Sequence, residues 1–202
     1  MLRLINKYPF SWARIVSDLL SPPMVWAVLA LPIALRDAES TGQAIVWMLV
    51  YVALVCLLPL AYIGYMVYRG RITDVHMKVR QQRLGPLAVS IVCTAIAWGV
   101  LRLLGAPAIV QRLGFITLIQ VALMALITYV WQISFHTISI SGATVAAGAL
   151  FGLIPALLTL PLVLLVGAAR LKLKRHTPAQ VVAGALVGVL IPLVVFFTFT
   201  LT

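Results

Sequence analysis

The run Ala169-Arg170-Leu171-Lys172-Leu173-Lys174-Arg175-His176-Thr177-Pro178-Ala179-Gln180 packs cations around one histidine and opens directly into the apolar stretch Val181 to Leu201. Two further sets have the same character. Ser134 and His136 follow an apolar run, and His76, Lys78, Arg80 and Arg83 lie together in a polar stretch. Imidazole is the side chain whose ordinary pKa lies near neutrality, so one histidine can attack phosphorus while another carries a proton. Guanidinium and ammonium groups supply the charge that a transferring phosphoryl group needs, and phosphoryl transfer asks little more of a protein than positioning and charge stabilisation. At the edge of a membrane segment, these residue types suit the head group of a phosphorylated lipid.

The elements that must position them are apolar helices. A bilayer span takes about twenty apolar residues. The first segment runs from about Val16 or Pro22 to Leu35. Its front, Trp12 to Leu20, is amphipathic and carries Arg14 and Asp18, which predicts an interfacial helix over 11–21. The second is Ala44 to Tyr68, the third Pro86 to Leu104, the fourth Leu113 to Trp131 and the last Pro178 to Leu201. Read as a single helix, His136 to Arg170 would be about 50 Å long, against roughly 30 Å of hydrocarbon. Two short helices fit better: Ser139 to Ile154, then Pro155 or Ala156 to Ala169, broken at Pro155. The expected fold is an all-α polytopic bundle of six or seven transmembrane helices in one domain, residues 1–202.

Composition supports that class. The chain of 202 residues is 63% hydrophobic and 9% charged, outside the range of soluble domains. Fifteen Lys and Arg against four acids give a net charge of +11, held in short segments between apolar runs, which favours lipid phosphates over nucleic acid. Residues 1–7 lack the pattern of a cleaved signal peptide, so the N-terminus is expected to stay. Cys56 and Cys93 fall in apolar runs and read as small hydrophobes without a disulfide.

With hairpins at 36–43, 105–112 and 155, the N-terminus, the loops 69–85 and 168–177 and the turn 132–138 emerge on one face. All three histidines and twelve of the fifteen Lys and Arg fall there, among them Arg3 and Lys7. The positive-inside rule would place that face in the cytoplasm.

On these residues the chain resembles the type 2 phosphatidic acid phosphatase (PAP2) superfamily of membrane lipid phosphatases. The third motif of that family is Ser-Arg, five residues, His, three residues, Asp; Ala169-Arg170, His176 and Gln180 take its place here. The second, Pro-Ser-Gly-His, is similar to Ile133-Ser134-Phe135-His136. The first, Lys, six residues, Arg-Pro, is matched loosely between His76 and Pro86: seven back from Arg83 stands His76 rather than lysine. The resemblance implies a metal-independent phosphatase with no cofactor. His176 would be the nucleophile, His136 the general acid and base, and Arg83 and Arg170 the phosphoryl clamps, with Lys78, Arg80, Ser134 and Gln180 binding substrate. It also implies a phosphorylated lipid as substrate, an isoprenyl diphosphate or a phosphatidate-like lipid, in a bacterial or archaeal cell membrane.

Three positions depart from the pattern. Gln180 stands for the aspartate that would hold the nucleophile's ring. Asp74, the only acid in the loops of that face, would take its place if the fold brings it to His176. Thr177, Pro178 and Gln180 also fit N-cap, N1 and N3 of a capping box, a structural account of the glutamine. Ala169 removes a hydroxyl, and Phe135 adds bulk.

Plainer readings apply elsewhere. Lys172, Lys174 and Arg175 read as solvated surface charges, and His76 as an ordinary loop histidine. Gly148 with Gly152 and Gly184 with Gly188 read as close helix packing. The five tryptophans read as interfacial anchors. With no close-spaced histidine pair, a metal site is not expected. The rival from another class is a catalytically silent relative that binds or transports a phosphorylated lipid. A prenyl-transferring enzyme would need aspartate-rich loops for magnesium, and this face lacks them.

Overall fold

A computed structural model describes residues 11–200, so Arg3, Lys7 and the N-terminal reading lie outside the described residues. Within them the regular structure is entirely helical. Helix α1 (Trp12–Leu19) and α2 (Pro22–Arg36) meet at a 47° bend. Pro22 and Pro23 cause the new start, because the first positions of a helix have no use for an N–H. Helix α1 turns the small residues Ala13 and Ser17, one turn apart, inward against α8 and leaves Leu19 exposed.

The second hydrophobic run is one continuous helix from Thr41 to Tyr68, built from α3 (Thr41–Tyr51), a π-helical stretch (Val52–Leu57) and α4 (Leu58–Tyr68). Pro59 accounts for the wide turns. It has no N–H to give the Val55 carbonyl, and its ring needs room there. A 3-10 turn (Arg80–Arg83) leads into α5 (Leu84–Leu103), followed by α6 (Ala108–Val130), α7 (Phe135–Phe151), α8 (Leu153–Lys172) and α9 (Pro178–Thr200).

Five of these helical stretches are long and apolar enough to cross a membrane, and the bent α1–α2 pair would make a sixth. Helix α7, with 17 residues, is about 25 Å long and falls short of a full span. The expected six or seven spans correspond to these five, the bent pair and α7.

The break between α7 and α8 lies at Gly152 rather than Pro155. Gly152 has φ +95, a conformation that side chains disfavour, whereas Pro155 sits in the first turn of α8, where its missing N–H costs nothing. Gly152 is therefore a turn residue, not a packing one. Gly184 and Gly188 do serve close packing. A Cβ on Gly184 would lie 2.7 Å from the Ser134 carbonyl oxygen, and one on Gly188 would lie 2.9 Å from Ile138 Cα. Helix α9 is thereby pressed onto the start of α7. Helix α7 is the most enclosed element, packed by α2, α8 and α9. Lipid-facing side chains such as Val28, Leu103 and Leu126 form the outer surface. Among the tryptophans, Trp12 and Trp131 are exposed as anchors would be, but Trp26 and Trp47 are buried in the core beside Tyr51.

Candidate active site

At one end of the bundle, all three histidines, Arg83 and Arg170 line the same cavity, whose volume is about 360 Å³. The rest of its wall is mostly apolar and comes from α2, the π-helical stretch, α4, α5, α6 and α7.

His176 is placed by the end of one helix and the start of the next. Helix α8 ends with Arg175 N–H donating to the Arg170 carbonyl (3.1 Å) and Lys174 N–H to that of Leu171 (2.9 Å), with Lys174 at φ +51. This is the glycine-type helix stop built with a lysine, and it turns His176 back toward the cavity. Thr177 and Gln180 then form the capping box: Gln180 N–H donates to Thr177 Oγ1 (3.4 Å), and Thr177 N–H to Gln180 Oε1 (3.1 Å). The same Oε1 lies 3.2 Å from His176 Nδ1. An amide oxygen only accepts, so Nδ1 carries the proton and Nε2 keeps a free lone pair. Burial above all, then the charges of Arg170 and Arg83, pushes the His176 pKa down to about 4, against the smaller opposing effect of Gln180. At neutral pH the ring is uncharged and its Nε2 is unprotonated.

His136 sits in the first turn of α7, which Ser134 caps by accepting from Thr137 N–H (3.4 Å). Its Nε2 donates to the Ser17 carbonyl (3.0 Å) and lies 3.3 Å from Ser17 Oγ. The same hydroxyl accepts from an Arg170 guanidinium nitrogen at 2.6 Å. Arg170 is 1% exposed, and its Nε has no partner. Arg83, 3% exposed, donates from Nε to the Met77 carbonyl (2.8 Å) and stacks over the Phe135 ring at 5.0 Å. Phe135 thus supports a cation instead of merely adding bulk. Among the described residues, no carboxylate forms an ion pair with Arg83 or Arg170.

The other expected ligands are placed differently. Arg80 donates to the carbonyls of Thr128 (3.2 Å) and Tyr129 and so closes the end of α6. Lys78 is exposed and does not line the cavity. Ser134 is fully buried, spends its hydroxyl on the cap and its N–H on the Gln180 carbonyl (3.1 Å), and does not line the cavity either. Gln180 reaches the site only through His176.

Three residues were not singled out for the site, and their placement has a reason. His76 lines the cavity with its ring stacked on His136, centroids 6.5 Å apart and planes at 17°. Its Nε2 is 3.2 Å from Asp18, and its N–H donates to Asp74 (2.8 Å). Burial, then Arg175 and Arg170, lowers its pKa, while Asp18 opposes the shift. The seven-residue spacing back from Arg83 was the available signal. Ser17 and Asp18 come from α1, and no local pattern marks them. Asp74 pairs with Arg175 (3.3 Å), so it does not replace the aspartate missing beside His176. Among the described residues, no group of three or more His, Cys, Asp or Glu side chains is placed to hold a metal ion.

No curated protein and no solved structure significantly matches the chain. Residues 114–201 match the family model of the PAP2 superfamily, a stretch that includes His136, Arg170 and His176 and stops short of His76 and Arg83. This match, over most of α6 and the helices that follow it, supports general membership of that superfamily.

Proposed function

We propose that the protein is a membrane lipid phosphatase that removes phosphate from a phosphorylated lipid, an isoprenyl diphosphate or phosphatidate-like molecule, through a phosphohistidine. The observation that carries this reading is the pairing of two buried guanidiniums, neither in a direct ion pair with a carboxylate, with a neutral histidine whose Nε2 is free, all at the charged end of an apolar cavity. Buried cations without counter-charges are costly to hold, and an anionic ligand removes that cost. The apolar remainder of the cavity suits a lipid tail.

His176 Nε2 attacks phosphorus as the bond to the lipid oxygen breaks. Protonated His136 gives its proton to that oxygen. Neutral His136 then takes a proton from water, whose oxygen attacks phosphorus, and the P–N bond breaks to release phosphate and free His176. Arg83 and Arg170 spread the developing charge. The PAP2-superfamily match over the histidine-bearing half supports this chemistry.

The replacement of aspartate by Gln180 favours a second reading, a relative that binds phosphorylated lipids without turnover, because an amide holds the His176 ring but adds no charge to stabilise its cationic form. Release of inorganic phosphate from a panel of lipid phosphates, with and without chelator, separates the two. Chelator-resistant release supports the phosphatase. Binding without release from any lipid supports the silent relative.

A further inference from the structure

Helix α1 ends in a way that leaves one carbonyl over. Leu20 N–H donates to the Val16 carbonyl (2.9 Å), but Ser21 N–H, which would continue the ladder to Ser17, turns to the Asp18 carbonyl (3.4 Å) as the chain bends into Pro22. The last carbonyls of a helix need partners from outside it. His136 Nε2 is that partner for Ser17, at 3.0 Å. The Ser17 hydroxyl lies 3.3 Å from the same Nε2 and accepts from an Arg170 guanidinium nitrogen at 2.6 Å. Ser17 has no exposed surface, and with Ala13 it packs against the helix that carries Arg170. One small residue of α1 therefore touches His136 on α7 and Arg170 on α8 without itself lining the cavity.

A carbonyl oxygen only accepts, so the neutral His136 ring carries its proton on Nε2 and its lone pair on Nδ1. His176 is set the opposite way, with its proton on Nδ1 against Gln180 Oε1 (3.2 Å) and its lone pair on Nε2. We propose that Ser17 is a positioning residue for the reaction: its carbonyl fixes the His136 tautomer so that Nδ1 exchanges the catalytic proton, and its hydroxyl aims Arg170 at the phosphoryl group. This role rests on the reading of the charged end as a lipid-phosphatase site. The proton on Nδ1 passes to the lipid oxygen as the bond from that oxygen to phosphorus breaks. Neutral Nδ1 then takes a proton from water as the water oxygen bonds to phosphorus and the P–N bond breaks. Nε2 keeps its hydrogen throughout. Of the five N–H donors on Arg170, Ser17 takes one, and the Nε–H remains without a partner.

The test uses the full chain in mixed micelles and has two parts. Nitrogen NMR of histidine-labelled protein in mildly alkaline buffer, with each signal assigned by its loss in a His→Ala variant, should find the proton of His136 on Nε2 and that of His176 on Nδ1. A His136 protonated on Nδ1 overturns the proposal, whether or not any lipid is hydrolysed. The second part uses Ser17→Ala, which keeps the carbonyl and removes the hydroxyl. It should lower kcat on dioleoyl phosphatidate or farnesyl diphosphate by about tenfold in the native background and by less than about twofold in an Arg170→Ala background, because the hydroxyl acts through Arg170. A residue that merely holds α1 on α8 would cost the same in both backgrounds. That equal cost, or no cost in either, overturns the positioning role. If neither lipid releases phosphate, the same cycle is read in the binding of inorganic phosphate. A loss that disappears in the Arg170→Ala background then upholds Ser17 as the organiser of the site while the phosphatase reading fails; equal losses, or none, overturn both. Should Ser17→Ala fail to fold, the native tautomers decide alone.

Discussion

The Ser134 N–H donates to the Gln180 carbonyl at 3.1 Å, a bond that ties the start of the helix carrying His136 to the start of the helix following His176. Thr137 Oγ1 adds a second tie by donating to the Val181 carbonyl (3.1 Å). Gln180 thereby holds His176 with its side chain and His136's helix with its backbone, and Gly184 allows the close approach that both bonds require.

His176→Ala should abolish phosphate release, because it removes the atom that bonds to phosphorus. His136→Ala should slow turnover by about a thousandfold and leave a phosphoenzyme that alkaline quench can trap, because a P–N bond survives base and not acid. Near-native release from both variants would refute the histidine mechanism.

Gln180→Glu keeps the length needed to accept from both Thr177 N–H and His176 Nδ1, and adds charge beside a ring that becomes cationic during attack. Its kcat should match or exceed the native value. Gln180→Asp should also preserve activity through the same charge, whereas Gln180→Ala should lose about 1 kcal/mol of stability with the cap, as well as rate. Thermal melting and kcat measured together check this. Inactive, well-folded Glu and Asp variants would show that the amide serves a different role.

The low pKa of His176 sets the direction of the pH profile. Only the neutral ring attacks, and the free protein keeps it neutral down to about 4, so this histidine should not impose an acidic limb near 6.5 on kcat/KM. Burial is the largest cause of the depression and Arg170 the next, so Arg170→Gln should move the His176 titration upward. Histidine NMR titration of the native and variant proteins reads both values. A native midpoint near 6.5, or no upward movement in the variant, contradicts the electrostatic account.

Arg83→Ala and Arg170→Ala should each cut kcat/KM by about a hundredfold or more, as loss of a charge-assisted contact to a transferring phosphoryl group does. Lys174→Ala and Lys78→Ala should each change it by less than about twofold, since exposed cations contribute little. Equal effects from all four would indicate a diffuse electrostatic surface instead of a defined pocket.

The cations of the active face lead, through the positive-inside rule, to a cytoplasmic site. With Cys56 and Cys93 replaced, a Lys174→Cys variant should resist a membrane-impermeant thiol reagent in intact cells and react after lysis. Labelling without lysis would place the site outside.

Several properties were fixed locally and could be read from the chain. Apolar runs of about twenty residues have no stable place except a bilayer or a large core, so the helical membrane class followed from composition alone. The Thr177–Gln180 capping box depends on neighbours in sequence, and it formed as expected. The order and spacing of His136, Arg170 and His176 likewise marked them together, and they meet in one cavity.

What depended on tertiary structure was which cations face that cavity. Arg80 and Arg83 are three residues apart on one short turn, yet Arg80 is drawn to the carbonyl end of α6 while Arg83 settles over Phe135 from a neighbouring helix. Ser17, Asp18 and His76 joined the site because α1 packs against α8 and the loop after α4 folds under it, contacts between distant residues that no local period encodes. The helix break moved from Pro155 to Gly152 for a related reason: proline is tolerated in the first turn of a helix, and only glycine takes the positive φ that lets α7 and α8 pack back to back.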